Sequence, residues 1–286
     1  MDTESGFFQK CKKQGLNKKT IQLFQKTIYD HYKQNQRKLP WRRTNNPYHI
    51  FISEVMLQQT QVPRVLEKYP SFIKKFPSLE SLASAPLSSI LKEWQGMGYN
   101  RRALYLKRAA GKMINDFKGK LPKTLKELQT LPGIGHATAS SILAFAFNKP
   151  TIFIETNIRA VFIHFFFKNK KNIDDSEILP LIEKTLDIEN PSKWYNALMD
   201  YGVYLKKREG NPNKKSRHYA KQSRFLGSER QIRGQIIKVL NEQNILTLEE
   251  MAKCLKKRKN LLTLIVHKLV HEGLIIIEAG KIKINN

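Results

Sequence analysis

The sequence predicts an all-α protein, a large helical core followed by a small winged-helix-like module. Three observations predict it. Apolar residues recur three or four apart through most of the chain before Lys206. A turn with two glycines, Leu131-Pro132-Gly133-Ile134-Gly135, separates two of these periodic stretches. Beyond Gly227, three more helical stretches lead into two apolar runs around Ala279-Gly280, which is a hairpin signal.

Ile21, Phe24, Ile28 and Tyr32 share one helical face and predict a helix over residues 16–35, ended by Leu39-Pro40-Trp41. Residues 47–69 read as a second helix that residues 70–75 continue. Pro77 and Pro86 each open a short helix, since a proline in the first turn removes no hydrogen bond. Further helices are expected at residues 101–116, 125–130, 137–147, 157–167, 178–186 and 194–205. From Lys206 to Arg233 the composition shifts: ten lysines and arginines face Glu209 and Glu229, with Gly210, Pro212 and Gly227 as breakers. This is a basic connector. Residues 229–241, 247–255 and 260–272 then read as helices, and residues 274–278 with 281–284 as a hairpin. That order is a winged helix, with a plain helical tail as the simpler reading. The expected division falls between a core at residues 1–227 and a module at 228–286.

At 286 residues with 41% hydrophobic side chains, the chain can build one large core or two modest ones, which excludes bulk disorder. Two cysteines, Cys11 and Cys254, cannot supply a disulfide framework, a four-cysteine zinc site or a thiolate-held iron–sulfur cluster. The polar start carries no signal-peptide core. The longest apolar run, residues 160–167, includes His164 and falls well short of the roughly 20 residues that span a bilayer. The expected location is the cytoplasm, at the nucleoid if the source is bacterial, with no membrane contact. Lysine and arginine number 51 against 24 acids, a net charge of +27. Such a charge points to a polyanion, DNA or RNA first, against the plainer reading of a solvated lysine-rich surface.

Two local patterns could carry chemistry. In the first, Gly133 and Gly135 let the backbone approach an anion, and the amides of His136 to Thr138 open the next helix toward it. This helix–hairpin–helix element would hold a DNA phosphate and read no base; an ordinary helical turn is the alternative. The second is a pair of acids in apolar company. Glu54 lies in Ile52-Ser53-Glu54-Val55-Met56 and Glu155 in Ile152-Phe153-Ile154-Glu155-Thr156-Asn157. A half-buried carboxyl can act as a general acid, and a second, ionised one can stabilise a sugar cation. Composition leaves a buried ion pair open for Glu54 and a helix cap open for Glu155.

Leu39-Pro40-Trp41-Arg42, the run Ser53-Glu54-Val55-Met56-Leu57-Gln58-Gln59-Thr60-Gln61-Val62, Gly96-Met97-Gly98-Tyr99 and the hairpin at 131–139 resemble the A/G-specific adenine DNA glycosylases. Those enzymes belong to the helix–hairpin–helix glycosylase superfamily, with endonuclease III as a cousin. The resemblance runs from about Arg37 to Leu205 and implies a two-lobed core with DNA in the groove between lobes. It places Glu54 on the acid that protonates the adenine, Glu155 on the carboxylate that stabilises the oxocarbenium ion, and Asn157 on a site asparagine. It also places Gln58, Gln59 and Tyr99 in the DNA stack, and Trp41, Arg42 and Asp200 near the pocket for the flipped base. The base must leave the stack because its glycosidic bond is inaccessible there.

Four departures from the family pattern matter. Glu155 stands where the family has aspartate, one methylene shorter. Lys206, Asn213, Ser216 and Gln222 occupy the places of four cluster cysteines. Ala137 stands where bifunctional cousins carry a Schiff-base lysine, which implies a monofunctional enzyme. Residues 228–286 replace the large C-terminal domain that reads 8-oxoguanine.

The expected activity is therefore base excision repair: hydrolysis of the N-glycosidic bond of a flipped adenine mispaired with guanine or 8-oxoguanine. A mismatch glycosylase for thymine, uracil or a deaminated purine is the nearest alternative, and a non-catalytic DNA-binding protein the next. The expected partner is double-stranded DNA with a mispair or damaged base, bound by a monomer. Lys206, Lys207, Lys214, Lys215 and Arg217 of the connector are expected to grip phosphate alongside Gly133, Gly135, His136 and Thr138. No cofactor is required and no iron–sulfur cluster is expected; the resemblance allows an alkali ion at the hairpin carbonyls. Elemental analysis of purified protein should find no stoichiometric iron, and one cluster's worth of iron per chain would overturn the reading of the connector.

Overall fold

The structure, a computed structural model, describes residues 3–221 and 224–286. Its helices are α1 (Thr3–Gln14), α2 (Lys18–Asn35), α3 (Pro47–Leu57), α4 (Val62–Lys75), α5 (Leu79–Ser84), α6 (Leu87–Glu93), α7 (Arg101–Phe117) and α8 (Leu125–Gln129). They continue with α9 (His136–Phe147), α10 (Thr156–Phe166), α11 (Asp175–Thr185), α12 (Pro191–Arg208), α13 (Glu229–Gln243), α14 (Leu248–Leu255) and α15 (Lys259–His271). Three short strands, β1 (Ile245–Thr247), β2 (Ile275–Glu278) and β3 (Lys281–Ile284), form one antiparallel sheet in the order β1-β3-β2. The chain divides into two compact units, residues 1–45 with 135–221 and residues 46–134 with 222–286. No helix among the described residues is long and apolar enough to cross a membrane.

The expected helix over residues 47–75 is two helices. α3 stops at Leu57 and α4 starts at Val62. Pro63 sits in the first turn of α4, where it has no N–H to continue the hydrogen-bond ladder of α3 and where a new helix needs none. Pro77 and Pro86 do not open α5 and α6 from within. Ser78 caps α5 in a reciprocal box with Ser81, and Pro86 is itself the residue before α6. Helix α1 and strand β1 were not expected from the sequence pattern.

In the first unit an aromatic core holds α1, α2, α10 and α12 together. Phe24 lies at the centre, with ring centroids 5.7 Å from Phe7, 5.6 Å from Phe162, 5.0 Å from Phe165 and 5.7 Å from Trp194. Three of these pairs are edge-to-face, the arrangement ring quadrupoles prefer. Polar contacts fasten the start of α1: Arg208 donates to both oxygens of Glu4, and His164 meets the same carboxylate. Burial pushes the Glu4 carboxyl up, but His164 and Arg208 outweigh it and bring it down to about 2.

The first stretch of the basic connector is ordered by this unit. Asn213 is buried and its Nδ2 donates to the Thr156 carbonyl at 2.9 Å. Ile173 exchanges backbone hydrogen bonds with Lys215 and Arg217, and Lys215 Nζ donates to the Lys168 carbonyl at 2.7 Å. Packing and backbone pairing hold this segment.

In the second unit, residues 229–284 run helix, strand, helix, helix, strand, strand, the order of a winged helix. Ala279 and Gly280 both have positive φ, 48° and 74°, as a two-residue hairpin turn requires. The module is fastened to α6 and α7. Asn286 Oδ1 accepts from the Ser88 backbone N at 2.8 Å, at the start of α6. The carboxylate of Glu272, 11% exposed, pairs with Arg101 of α7 and Arg233 of α13. Burial pushes the Glu272 carboxyl up, but the two guanidinium groups outweigh it and hold it below the usual range. Glu272→Gln should destabilise the protein by on the order of 1–2 kcal/mol, since Arg101 remains half exposed and screened. A group with a depressed folded pKa stabilises fully above its unfolded value, so this contribution should fade as pH falls through the lowered one. Denaturant unfolding of both proteins from pH 7 to pH 3 checks it; equal stability at pH 7 would refute the anchor.

Candidate active site

The second unit carries Glu54, and the residue that organises its surroundings is Arg102. Glu54 is half-buried in the last turn of α3, among the buried residues Ile52, Ser53, Val55 and Met56. A helix ending there leaves its last carbonyls without intrahelical partners. Arg102, 7% exposed in α7, takes them. Its Nη1 donates to the carbonyls of Val55, Met56 and Gln58 at 3.0, 2.8 and 2.7 Å. Its Nη2 donates to Thr60 Oγ1 at 2.9 Å and to the carbonyls of Met97 and Gly98 at 3.1 Å. Burial pulls the guanidinium down to about 10, so it stays charged at neutral pH.

One cation thus joins the two segments that the resemblance puts in the DNA stack. Both segments carry backbone strain. Gln59 has φ +53° and Tyr99 has φ +48°, left-handed conformations that side chains other than glycine seldom adopt. Tyr99 is 39% exposed, with its ring 5.6 Å from the Arg102 guanidinium carbon and its hydroxyl accepting from Arg230 of α13 at 3.2 Å. Gln58 Nε2 donates to the Gly133 carbonyl at 3.2 Å, tying the loop after α3 to the hairpin. Gly133 has φ +77°, and a Cβ there would lie 2.6 Å from the Tyr105 ring. Glycine is the residue this turn accepts. The hairpin's other glycine, Gly135, belongs to the first unit and precedes α9 with no side-chain cap, so His136 and Thr138 lie in an opening turn suited to an anion.

The first unit carries Glu155 and Asn157. Glu155 is the N-cap of α10: its Oε1 accepts from the backbone N of Asn157 at 2.8 Å and of Ile158 at 3.0 Å. Its Oε2 accepts from Asn157 Nδ2 at 3.3 Å. Helix α12 approaches so closely that a Cβ on Gly202 would lie 2.3 Å from the Asn157 carbonyl oxygen. One turn further along α12, Lys206 reaches the same asparagine, donating from Nζ to Oδ1 at 2.8 Å. Burial pushes the Lys206 ammonium below the ordinary lysine range; Glu155 opposes this, while Arg159 and Arg37 add to it.

Of the residues expected near a base pocket, Arg42 and Asp200 come together directly. The two oxygens of Asp200 accept from Arg42 Nη1 at 2.8 Å and Nη2 at 2.9 Å, and from Arg37 backbone N at 2.9 Å and Nε at 2.5 Å. This pins the turn containing Trp41, which is 7% exposed, onto α12. The connector residues diverge. Lys207, Lys214 and Arg217 are exposed, whereas Lys206 turns inward to Asn157 and Lys215 to a backbone carbonyl. Lys206, Asn213 and Ser216 supply no thiolate, so they do not fit an iron–sulfur cluster; Gln222 lies outside the described residues. Sequence reading missed Arg102, Gly202 and the inward role of Lys206. The glycine at 202, four residues before a lysine on one helix face, is the signal that could have found the last two.

Residues 52–186 match the family described as HhH-GPD superfamily base excision DNA repair proteins. The chain is similar to the adenine DNA glycosylase of Buchnera aphidicola subsp. Baizongia pistaciae (strain Bp), 39% identical over 191 residues, 65% of this chain and 54% of that protein. It is also similar to the thymine/uracil-DNA glycosylase of Methanothermobacter thermautotrophicus, 33% identical over 192 residues, 66% of this chain and 86% of that protein. Among solved structures, that of a thermostable thymine-DNA glycosylase aligns with a TM-score of 0.60 at 27% identity, over 69% of this chain and 95% of that one. The chain thus spans about half the length of the adenine DNA glycosylases of Buchnera, 54% and 55% in two of them.

Arg102→Lys tests the organising role of the guanidinium. An ammonium has three donors and cannot serve five carbonyls and a hydroxyl on two segments. The substitution should cost about 2–4 kcal/mol in denaturant unfolding. Wild-type stability in the variant would show that those carbonyls find other partners.

Proposed function

The chain belongs to the HhH-GPD superfamily of base excision DNA repair proteins, and on that premise we propose that it is a monofunctional DNA glycosylase. Its substrate is an adenine mispaired with guanine or 8-oxoguanine and flipped out of the duplex. Glu54 donates a proton to the adenine ring, so that the electrons of the bond between C1′ and nitrogen leave with the base. The carboxylate of Glu155, oriented by Asn157 and the start of α10, faces the positive charge that develops on the sugar. Water adds to C1′ and loses a proton, and the product is an intact abasic site. Ala137 offers no amine for the family-type lyase step. No metal or organic cofactor supplies a step. An alkali ion at the hairpin would be held by the carbonyls of Leu131 and Gly133, which accept from the Ile134 backbone N and from Gln58 Nε2 and each have a second lone pair, and would attract a phosphate.

The observation that carries this reading is the Glu155–Asn157 arrangement. The carboxylate is held in one orientation by two backbone amides and a carboxamide, as an electrostatic stabiliser of a cation must be. Strain at Gln59 and Tyr99 supports their entry into a distorted duplex, and a charge of +27 supports a phosphate-dominated affinity. A second reading, excision of mispaired thymine or uracil, is favoured by the match across 86% of a thymine/uracil-DNA glycosylase, against 54% of an adenine one.

A panel of duplexes with adenine, thymine or uracil opposite guanine, and adenine opposite 8-oxoguanine, decides between them. Adenine release is expected, and release of thymine or uracil alone would select the second reading. Glu54→Gln keeps the shape and removes the proton, so single-turnover release should fall by about 10²–10⁴-fold with duplex affinity preserved. A wild-type rate in the variant would remove Glu54 from the acid's role.

A further inference from the structure

We propose that Lys206 is a positioning residue of the excision site: its ammonium selects the one orientation of the Asn157 carboxamide that lets Nδ2 donate to Glu155. This deepens the glycosylase reading and rests on it.

An asparagine amide has two orientations that exchange its oxygen and nitrogen with little change in shape. What fixes one of them is a neighbour able only to donate or only to accept. A lysine ammonium has three donors and no acceptor, so it demands Oδ1. Lys206 Nζ lies 2.8 Å from that oxygen, which leaves Nδ2 on the opposite side, 3.3 Å from Glu155 Oε2. The reverse orientation would set two donors against each other at Lys206 and two acceptors at Glu155. Both contacts would be lost together.

The backbone builds the arrangement. Gly202 lets α12 approach the Asn157 backbone to a distance no side chain at 202 would permit. Lys206 follows one helical turn later on the same face, half-buried, and its stem needs no detour to reach the carboxamide. The inward course also withdraws Lys206 from phosphate, leaving that work to the exposed Lys207 and Lys214. The charged groups acting on the ammonium are Glu155 and Arg159 at the start of α10 and Arg37 ahead of the turn onto Asp200. Burial and the two arginines ease its deprotonation, and Glu155 resists it. As pH rises through this lowered value the amine becomes neutral and can accept as well as donate. Selection of the amide orientation is then lost.

The test compares wild type, Lys206→Met and Lys206→Arg in single-turnover base release from pH 6 to about pH 10, where the ordinary lysine value of about 10.4 bounds the range. Lys206→Met should slow release by about 10- to 100-fold, the effect of misplacing a group next to the chemistry, with melting temperature and duplex affinity near wild type. Lys206→Arg, a donor charged at every pH used, should recover part of the rate. The wild-type profile should show a basic limb that both variants lack. Borohydride treatment covers the covalent alternative: a trapped adduct lost in Lys206→Met would make Lys206 a nucleophile and overturn the proposal, as would a wild-type rate and profile in Lys206→Met. Failure of the glycosylase reading itself would appear as wild type inactive on every duplex. In that event the side-chain amide resonances of Asn157 in the unliganded protein still decide. Lys206→Met should shift and broaden them, and an unchanged pair of signals would overturn the positioning role.

Discussion

One buried guanidinium makes the second unit possible. A helix that carries a carboxyl in its last turn and then stops presents open carbonyls to the interior. The glycine-rich turn before α7 presents more. Arg102 satisfies five of these carbonyls and the Thr60 hydroxyl at once, with Trp94 and Tyr99 rings against its face at 5.1 and 5.6 Å. Burying such a charge costs several kcal/mol, which the six acceptors on its two terminal nitrogens offset, while the buried Nε is left without one. The same contacts hold the left-handed backbone at Gln59 and Tyr99, which neither residue would adopt unaided. Position of the acid, the break in the helix and both strained segments therefore depend on one side chain.

The first unit solves a different problem, namely how to order a basic connector whose Lys206, Asn213 and Ser216 supply no thiolate. Its answer is distributed. Asn213 caps a carbonyl at the start of α10, Ile173 pairs with the backbone at 215 and 217, and Arg208 ties the end of α12 to α1 through Glu4. Each contact is modest. Together they fix the end of α12, and with it the height at which Lys206 meets Asn157. Lys206 thus has an acceptor to reach inside the unit.

Long periodic helices and the motif acids were legible in the sequence, because helical spacing and apolar company are local signals. So was the C-terminal hairpin, announced by apolar runs around Ala279-Gly280. Helix α1 was not, since its polar, acidic start conceals Phe7, whose burial depends on Phe24 and Phe165 far along the chain. The break after α3 was masked by apolar residues continuing into α4, although Pro63 marked it. Arg102 and the inward Lys206 were illegible for a common reason. Nothing in the spacing of a cationic side chain tells whether it faces water, a phosphate or a set of carbonyls, and only the fold brings those acceptors near.

The two sequence-level readings of Glu155, helix cap and reactive carboxylate, are not alternatives in physical terms. A carboxylate offers about four acceptor positions. Among the described residues, Oε1 takes two backbone amides and Oε2 takes Asn157 Nδ2. The cap therefore fixes the direction in which Oε2 presents what remains. An aspartate at the same place has one torsion fewer and is oriented more cheaply. The extra methylene of glutamate adds a rotation that must be suppressed, and the carboxamide of Asn157 is the contact that suppresses it. Whatever fixes that carboxamide becomes part of the site, which is why the departure at position 155 and the lysine at position 206 belong to one physical argument.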